Sequence, residues 1–323
     1  MNPLVTIAVA TYHSSAYVVE TLESIYRQTY LDLALVISDD CSTDNTVAII
    51  EAWAAQEKNQ KRFSSIEVIT VPKNTGVSAN CNRCIAAAPS DLIKFIAGDD
   101  IMLPNCIEDN VAFVAENQNA RIVFSQIKIY QDTFEEKHYI RTTPHDFPAN
   151  LMDASLQAHD QFQLLLVSDR IHYTPSVFMN KQALLMVGGY DESNRLVEDY
   201  PMWLKLTQAG ERFYYFHKVT VCYRVHSKAT NNVGDQVLFK PSIFNSFKIR
   251  KLSAHSYLPW EMVAAEYQSY YVSRFFQQMG WNKKSAIIST LYRLATVYLN
   301  PFQYVYAIKK RMPQHKNNLF YSS

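Results

Sequence analysis

The chain has 323 residues, 48% apolar and 19% charged, with 7 glycines, 12 prolines and a formal net charge of +1. This composition excludes a disordered, collagen-like or low-complexity chain, and it is not that of a uniformly basic nucleic-acid binder. The balance hides an asymmetry. From Lys240 onward there are 12 basic and 2 acidic residues and 17 of the 42 aromatics, so residues 1–239 carry −9 and the tail +10.

Leu4–Ala10 is a continuous apolar run and predicts a buried strand; Ser14 or Ser15 caps a helix to about Gln28. Leu33–Ser38 predicts a second strand, and Ser42-Thr43-Asp44 offers caps for a helix through about Gln56. A strand at Ile66–Val71, a helix over about Val77–Ala87, a strand at Leu92–Ala97, a helix from Pro104 to about Gln118 and a strand at Arg121–Ser125 continue the alternation. Apolar strands spaced by helices imply an α/β fold with a mostly parallel sheet covered on both faces. Residues 130–158 read as a long polar loop. A helix near His159–Val167, a strand near Tyr173–Met179, a turn at Gly188-Gly189, a helix near Glu198–Gln208 and strands at Phe213–Phe216 and Val219–Val225 follow. Beyond about Val233 the pattern is helical. The expected division is 1–232, with halves 1–125 and 126–232, and a basic, aromatic helical region 233–323.

The five cysteines, Cys41, Cys81, Cys84, Cys106 and Cys222, are few and odd in number, and Cys81/Cys84 lacks the second pair that a zinc site needs. Reduced thiols are expected, as is a cytosolic setting, since no signal peptide is recognisable around Leu4–Ala10. No apolar run approaches the ~18–20 residues that span a bilayer. The most apolar tail segment, Ala286–Ile308, is interrupted by Arg293, Asn300 and Pro301. A basic, aromatic tail suits an anionic membrane surface; a helical cap with solvated charges is the plainer alternative.

In an open parallel sheet, ligands sit beyond the carboxyl ends of the strands. The first four strands exit into Thr11-Tyr12, Asp39-Asp40, Lys73-Asn74 and Asp99-Asp100. Carboxylates crowded on one edge repel one another, and a cationic partner relieves that. At Gly98-Asp99-Asp100 neighbouring side chains point to opposite sides, so one acid can hold a divalent cation while the other meets a hydroxyl. Oxygen ligands favour Mg2+ or Mn2+ over zinc. Glu198-Asp199 reads either as catalytic acids or as helix N-terminal acids favoured by the macrodipole. Strand alternation puts Arg224 and His226 on one face, where Arg224 could meet phosphate oxygens and His226 a metal. Asp44 reads as a helix brace, Glu20 as a solvated helix residue and Trp203 as core packing.

Leu4–Tyr12 (LVTIAVATY), Leu35–Thr46 (LVISDDCSTDNT), Asn74–Asn82 (NTGVSANCN), Phe95–Asp100 (FIAGDD), Gly188–Glu192 (GGYDE) and Val197–Leu206 (VEDYPMWLKL) together resemble the ordered motifs of family 2 glycosyltransferases of the GT-A fold. The resemblance covers about residues 3–228. It implies nucleotide-sugar binding by 1–125 and an acceptor half in 126–232. Thr11 and Tyr12 would lie against the base, Asp40 would accept the uracil N3–H, and Asp39 would shape that turn. Asn74 and Asn82 would border the donor, Asp99 would contact ribose, and Asp100, with His226, would bind Mn2+ or Mg2+. Asp199 would be the general base, and Glu198 would orient it or contact sugar hydroxyls. Cys81 stands where the family often has Arg, and Arg83 is expected to point elsewhere on its helix; Gly98 replaces the first acid of the family's DxD.

The implied reaction is single displacement from a UDP-sugar to a lipid-diphosphate-linked saccharide, forming a β-linkage in surface polysaccharide (O-antigen or capsule) assembly. The expected place is the cytoplasmic, inner face of the plasma membrane, with no nucleic-acid partner. A non-catalytic sugar-nucleotide scaffold is the alternative. Nucleotidyl transfer, which also uses GDD acids, is disfavoured by the acidic charge of 1–239.

Overall fold

The structure is a computed structural model that describes residues 2–193, 198–226, 237–240 and 242–321. The apolar runs become strands β1 (Val5–Thr11), β2 (Leu33–Asp39), β3 (Ile66–Thr70) and β4 (Leu92–Ala97). Helices α1 (Val18–Tyr26), α2 (Thr46–Ala54), α3 (Glu57–Arg62) and α4 (Val77–Ala87) connect them. Then come β5 (Ile101–Met102), α5 (Cys106–Glu116), β6 (Ile122–Gln131), β7 (Tyr139–Thr143), α6 (Ala149–Met152) and α7 (Ala158–Val167). A 3-10 turn (Thr174–Ser176), β8 (Phe178–Asn180), α8 (Lys181–Met186), α9 (Asp199–Gln208) and β9 (Phe213–Val225) complete this part. Every residue of β2, and Val5, Ile7, Ala8 and Val9 of β1, are buried, as strands covered on both faces require.

The described strands form one sheet in the order β3-β2-β1-β4-β8-β6-β9-β5, with β7 paired to β6. β3-β2-β1-β4 and β6-β9 are parallel blocks. The short β8 runs antiparallel to both β4 and β6 and joins them. Register places the site: Thr11 pairs with Asp39, and Ala10 with Ala97. The segments that follow β1, β2 and β4 therefore leave the sheet side by side.

Three expectations are corrected. The segment expected as loop 130–158 contains β7, which returns along β6 as an edge hairpin. Its Tyr139 and Ile140 are exposed, so no buried apolar run marks it. The two strands expected in 213–225 are one, β9, whose register shifts opposite Ser125–Ile127. The helix expected to reach Gln56 stops at Ala54, and α3 follows.

The chain divides into two compact units: residues 1–162 with 169–226, and residues 163–168 with 227–323. The second unit contains α10 (Ser242–Ser253), α11 (Trp260–Gln278), α12 (Ala286–Arg293), a π-helical turn (Leu294–Tyr298) and α13 (Pro301–Lys310). Its interior is aromatic. Phe247 stacks on Tyr270 at 4.1 Å, Phe239 on Tyr292 at 5.4 Å, and Phe276 meets Trp281 edge-on at 5.5 Å. No helix among the described residues is long and apolar enough to cross a membrane.

Candidate active site

The ends of β1 and β2 are tied together through acids. Thr11 donates its hydroxyl to Asp39 Oδ2 at 2.9 Å, while the Ser42 N–H and hydroxyl reach Asp39 at 2.7 and 2.6 Å. Asp39, fully buried, thus shapes the turn after β2. Asp40 holds the turn before α4: it accepts the Thr75 N–H at 3.0 and 3.1 Å, the Thr75 hydroxyl at 2.6 Å and the Gly76 N–H at 2.7 Å. Gly76 sits at φ +94°, a conformation that suits glycine at this close approach. Arg83 Nη2 adds a bond to Asp40 at 2.9 Å, while its other donors reach Ser38, Thr75 and Asn80. Burial alone raises the Asp40 pKa, but these donors from Thr75, Arg83 and Gly76 bring it below the usual value. Arg83 therefore points into this pocket, contrary to expectation: Asn80 and Arg83 lie three residues apart on one helix face, and the Asn80 amide bonds Thr11 O at 3.2 Å. Asn74 donates to Asp40 O at 3.3 Å. Tyr12 is 48% exposed and stacks on His13 with ring centres 4.0 Å apart, an open aromatic face at the rim. Asp44 braces α2 as expected, accepting the Thr46 N–H at 3.1 Å and its hydroxyl at 2.5 Å; hydrogen bonds hold its pKa near 2 against the opposing effect of burial.

The acids after β4 are fixed from β9. Asp100 Oδ1 accepts the Arg224 N–H at 2.9 Å, and Asp99 Oδ2 lies 3.0 Å from His226 Nε2. Arg224 is buried. It donates to the carbonyls of Asp99 (2.8 Å) and Asp132 (2.6 Å), and its guanidinium lies between the rings of Tyr17 (4.6 Å) and Phe134 (4.1 Å). It also pairs with Glu20, which is therefore an ion-pair partner and not merely a solvated helix residue. Each of the three guanidinium nitrogens of Arg224 thus has a partner within the chain. Burial, then the neighbouring Asp99, pushes the Asp100 pKa well up. A buried carboxylate so disfavoured as an anion, with an imidazole nitrogen beside its neighbour, suits a divalent cation. Among the described residues no group of three or more His, Cys, Asp or Glu side chains could hold an ion alone. A magnesium-type ion, however, needs only one or two carboxylates together with substrate phosphates.

The third cluster lies at the start of α9. Asn82 bridges α4 to the glycine turn: its Oδ1 accepts the Tyr190 N–H at 2.8 Å, and its amide donates to Tyr190 O (2.9 Å) and Glu192 Oε1 (2.8 Å). Gly189, at φ +70°, has no room for a Cβ, which would lie 2.6 Å from Asn82 Oδ1. Glu198 and Asp199 share a hydrogen bond, and Thr174 supplies another to Asp199. Burial raises both pKa values, most strongly for Asp199, to which the Glu198 charge adds. Lys94, wholly buried in β4, pins the Thr174 turn by donating to Pro175 O at 2.6 Å and Val177 O at 3.3 Å. Burial lowers its pKa to about 8.

Tyr223 reports how these clusters lie. Burial raises its hydroxyl pKa to about 12, and the charges of Asp100, Asp99, Asp199 and Glu198 all add to the shift. The acids that follow β4 and those at the start of α9 are therefore all near enough for their charges to act on one phenol. Arg83, Lys94 and Tyr223 are absent from the sequence-derived site. The only signals were the Asn80/Arg83 spacing and a lysine inside an apolar strand.

Gly98 is where the first two clusters nearly touch. A Cβ there would lie 2.7 Å from Thr11 Cγ2 and 3.0 Å from Ser14 Oγ. Gly98→Ala is expected to cost about 1–3 kcal/mol through overpacking. Denaturant unfolding checks this, and an unchanged midpoint would refute it.

Comparison with known proteins adds an independent line. The family model described as glycosyl transferase family 2 matches residues 6–181. The putative glycosyltransferase EpsE of Bacillus subtilis is 22% identical over 299 residues, covering 89% of this chain and 98% of that protein. An Escherichia coli protein named UDP-Gal:alpha-D-GlcNAc-diphosphoundecaprenol beta-1,3-galactosyltransferase is 26% identical over 212 residues, 65% of this chain and 70% of its own. Among solved structures, Staphylococcus aureus TarS 1-349 in complex with UDP-GlcNAc superposes with a TM-score of 0.58 at 16% identity, covering 99% of this chain and 88% of that one. Of a longer TarS chain this protein spans 52%. The mannosyltransferase PcManGT of Pyrobaculum calidifontis, in complex with GDP-Man and Mn2+, gives 0.52 at 15% identity, covering 95% of this chain and 75% of that one. At such identities the structural likeness speaks to the fold, which is GT-A.

Proposed function

The chain belongs to glycosyl transferase family 2, and from that premise we propose that it is an inverting enzyme. It moves a hexosyl or N-acetylhexosaminyl unit from a UDP-sugar to a hydroxyl of a lipid-diphosphate-linked saccharide in surface polysaccharide assembly. The observation that supports this reading is the fixing of Asp99 and Asp100 by His226 and Arg224, with the charges of these acids and of Glu198 and Asp199 all acting on the Tyr223 hydroxyl. On this reading a metal-holding pair and a proton acceptor would serve one pocket. The names of the E. coli relative and of the TarS complex support the acceptor and donor classes.

Tyr12 offers the base a stacking face, and Thr11 and Asp39 fix the strand ends that flank it. The uracil N3–H would take the place that the Thr75 hydroxyl or Arg83 holds at Asp40. Asn74 and Asn82 hold the borders of this pocket, and Asp99 would meet the ribose. Asp100 and His226 would hold Mn2+ or Mg2+, with Arg224 fixing the backbone between them. When bound, such an ion neutralises charge on a departing diphosphate. Asp199, oriented by Glu198 and Thr174, takes the proton of the acceptor hydroxyl as that oxygen attacks the anomeric carbon. A single displacement inverts the centre, so an α-linked donor yields a β-linkage. A lipid-linked acceptor places the enzyme on the inner membrane face.

A screen of nucleotide sugars against thermal unfolding, with and without Mn2+ or Mg2+, tests the donor class. At a hundredfold excess over Kd the expected stabilisation is ~2.7 kcal/mol, and it should require the metal. Protection by no uridine or other nucleotide sugar, with metal present, would sink the proposal.

A further inference from the structure

Among the described residues of the C-terminal unit both acids, Glu261 and Glu266, are tied to internal partners. Glu261 is fully buried, bound by Lys309 Nζ at 3.0 Å and by the Tyr321 hydroxyl at 2.6 Å. Glu266 is held by Arg250 and by His255 Nε2 at 2.8 Å. What the described surface of this unit offers is therefore basic and apolar.

The apolar part is ordered. α12 and the π-helical turn that continues it place Ile287, Leu291, Leu294 and Tyr298 at helical spacing along one side. They are 74%, 45%, 39% and 48% exposed. A stripe of that length in water is unfavourable unless something covers it. Its margins are cationic. Lys283 and Lys284 precede the helix and are exposed, and the Arg293 guanidinium lies 5.5 Å over the Tyr298 ring.

We propose that this stripe seats the chain on an anionic lipid bilayer. The helix lies along the interface with Ile287, Leu291 and Leu294 at the acyl boundary and Tyr298 at headgroup level. Lys283, Lys284 and Arg293 meet the lipid phosphates. Charge selects the occupant. A second copy docking through the same stripe would set these cations against their equals, while the described acids of this unit, Glu261 and Glu266, are already held internally. A bilayer surface supplies phosphates instead. The contact is superficial, since no described helix spans. The lipid-linked acceptor of the proposed function gives the contact its purpose, and to that extent the inference rests on that reading. The geometry rests on the C-terminal unit alone.

The test uses the full chain and vesicles of mixed phosphatidylglycerol and phosphatidylcholine, with pure phosphatidylcholine as the control. The chain should sediment with the anionic vesicles and release as salt rises. A combined Ile287→Glu, Leu291→Glu, Leu294→Glu variant should partition at least about tenfold more weakly. Lys283→Gln with Lys284→Gln should lose about tenfold, and only toward anionic vesicles. All these side chains are exposed, so circular dichroism and thermal unfolding should match wild type. Failure of wild type to bind anionic vesicles at low salt overturns the proposal, as does undiminished binding by the glutamate variant. So does a dimer, abolished by that variant, in a chain that ignores vesicles. Nucleotide-sugar protection is measured on the same samples. Vesicle binding without protection would sink the transferase reading and leave the seat standing; protection without vesicle binding would sink the seat alone.

Discussion

Asp199→Asn is expected to abolish transfer while leaving the donor bound, and to raise stability at neutral pH. The amide keeps the shape of the carboxylate but cannot take a proton from an acceptor hydroxyl. Loss of general-base help alone is worth about 10²–10⁴ in rate. Nothing in the Tyr12, Asp40 or Asp100 clusters depends on the charge at 199, so protection by nucleotide sugar should persist. The stability gain follows from burial. The folded pKa of Asp199 lies well above the unfolded value because the group is buried and faces Glu198. A carboxylate raised in this way favours folding fully below its unfolded pKa, and that advantage is lost as pH rises through the folded pKa. Above the unfolded pKa the wild type therefore loses stability that the amide, which does not titrate, keeps. The variant should melt higher at pH 7–8, and the gap should close as pH falls toward the unfolded value of about 3.9. The same raised pKa makes Asp199 a better base, and it places the acid limb of the wild-type rate profile above the ordinary carboxylate range. The groups facing Asp199 are Glu198, Asp169 and Thr174, and its charge is also felt by Cys81, Tyr190 and Tyr223. Near-normal transfer by Asp199→Asn would remove residue 199 from the chemistry, whatever its melting point.

How much of this could be read from the amino-acid order depends on the distance over which each feature is decided. β4 and α4 fall at the expected Leu92–Ala97 and Val77–Ala87, because an apolar run or an amphipathic turn is settled by its own neighbours. The placing of Asp39-Asp40 and Asp99-Asp100 at the same edge of the sheet, on either side of β1, was legible for the same reason: parallel strands that start together end together. Contacts decided across the fold were not. Glu20 and Arg224 are 204 positions apart, and only the β9 register brings them together. Lys94 interrupts an apolar strand, and nothing local says that its ammonium will reach the carbonyls of Pro175 and Val177. Arg83 was misread through helix rotation: adjacency to Asn82 says little, whereas the three-residue step from Asn80 sets its face. The β7 hairpin escaped because an exposed edge has no hydrophobic demand to make its alternation visible.

Trp203→Ala is expected to cost about 3–5 kcal/mol, the range for deleting a fully buried large aromatic. The ring is 0% exposed and packs edge-on against Phe124 at 5.2 Å and Phe213 at 5.7 Å, from two adjacent strands. It stands one helical turn after Asp199, so the cavity opens under the helix that carries the proposed base. Within the described residues the indole N–H finds no hydrogen-bond partner. Burial of an unanswered donor is itself unfavourable, so Trp203→Phe should cost much less than alanine, because it keeps most of the ring and removes that donor. Denaturant unfolding of both variants separates the two effects. The activity pattern should follow the packing: the alanine variant loses transfer even where it remains folded, since a misplacement near 1 Å can cost about a hundredfold, while phenylalanine retains most of it. An alanine variant within about 1 kcal/mol of wild type would mean that this ring does not anchor α9 to β6 and β9.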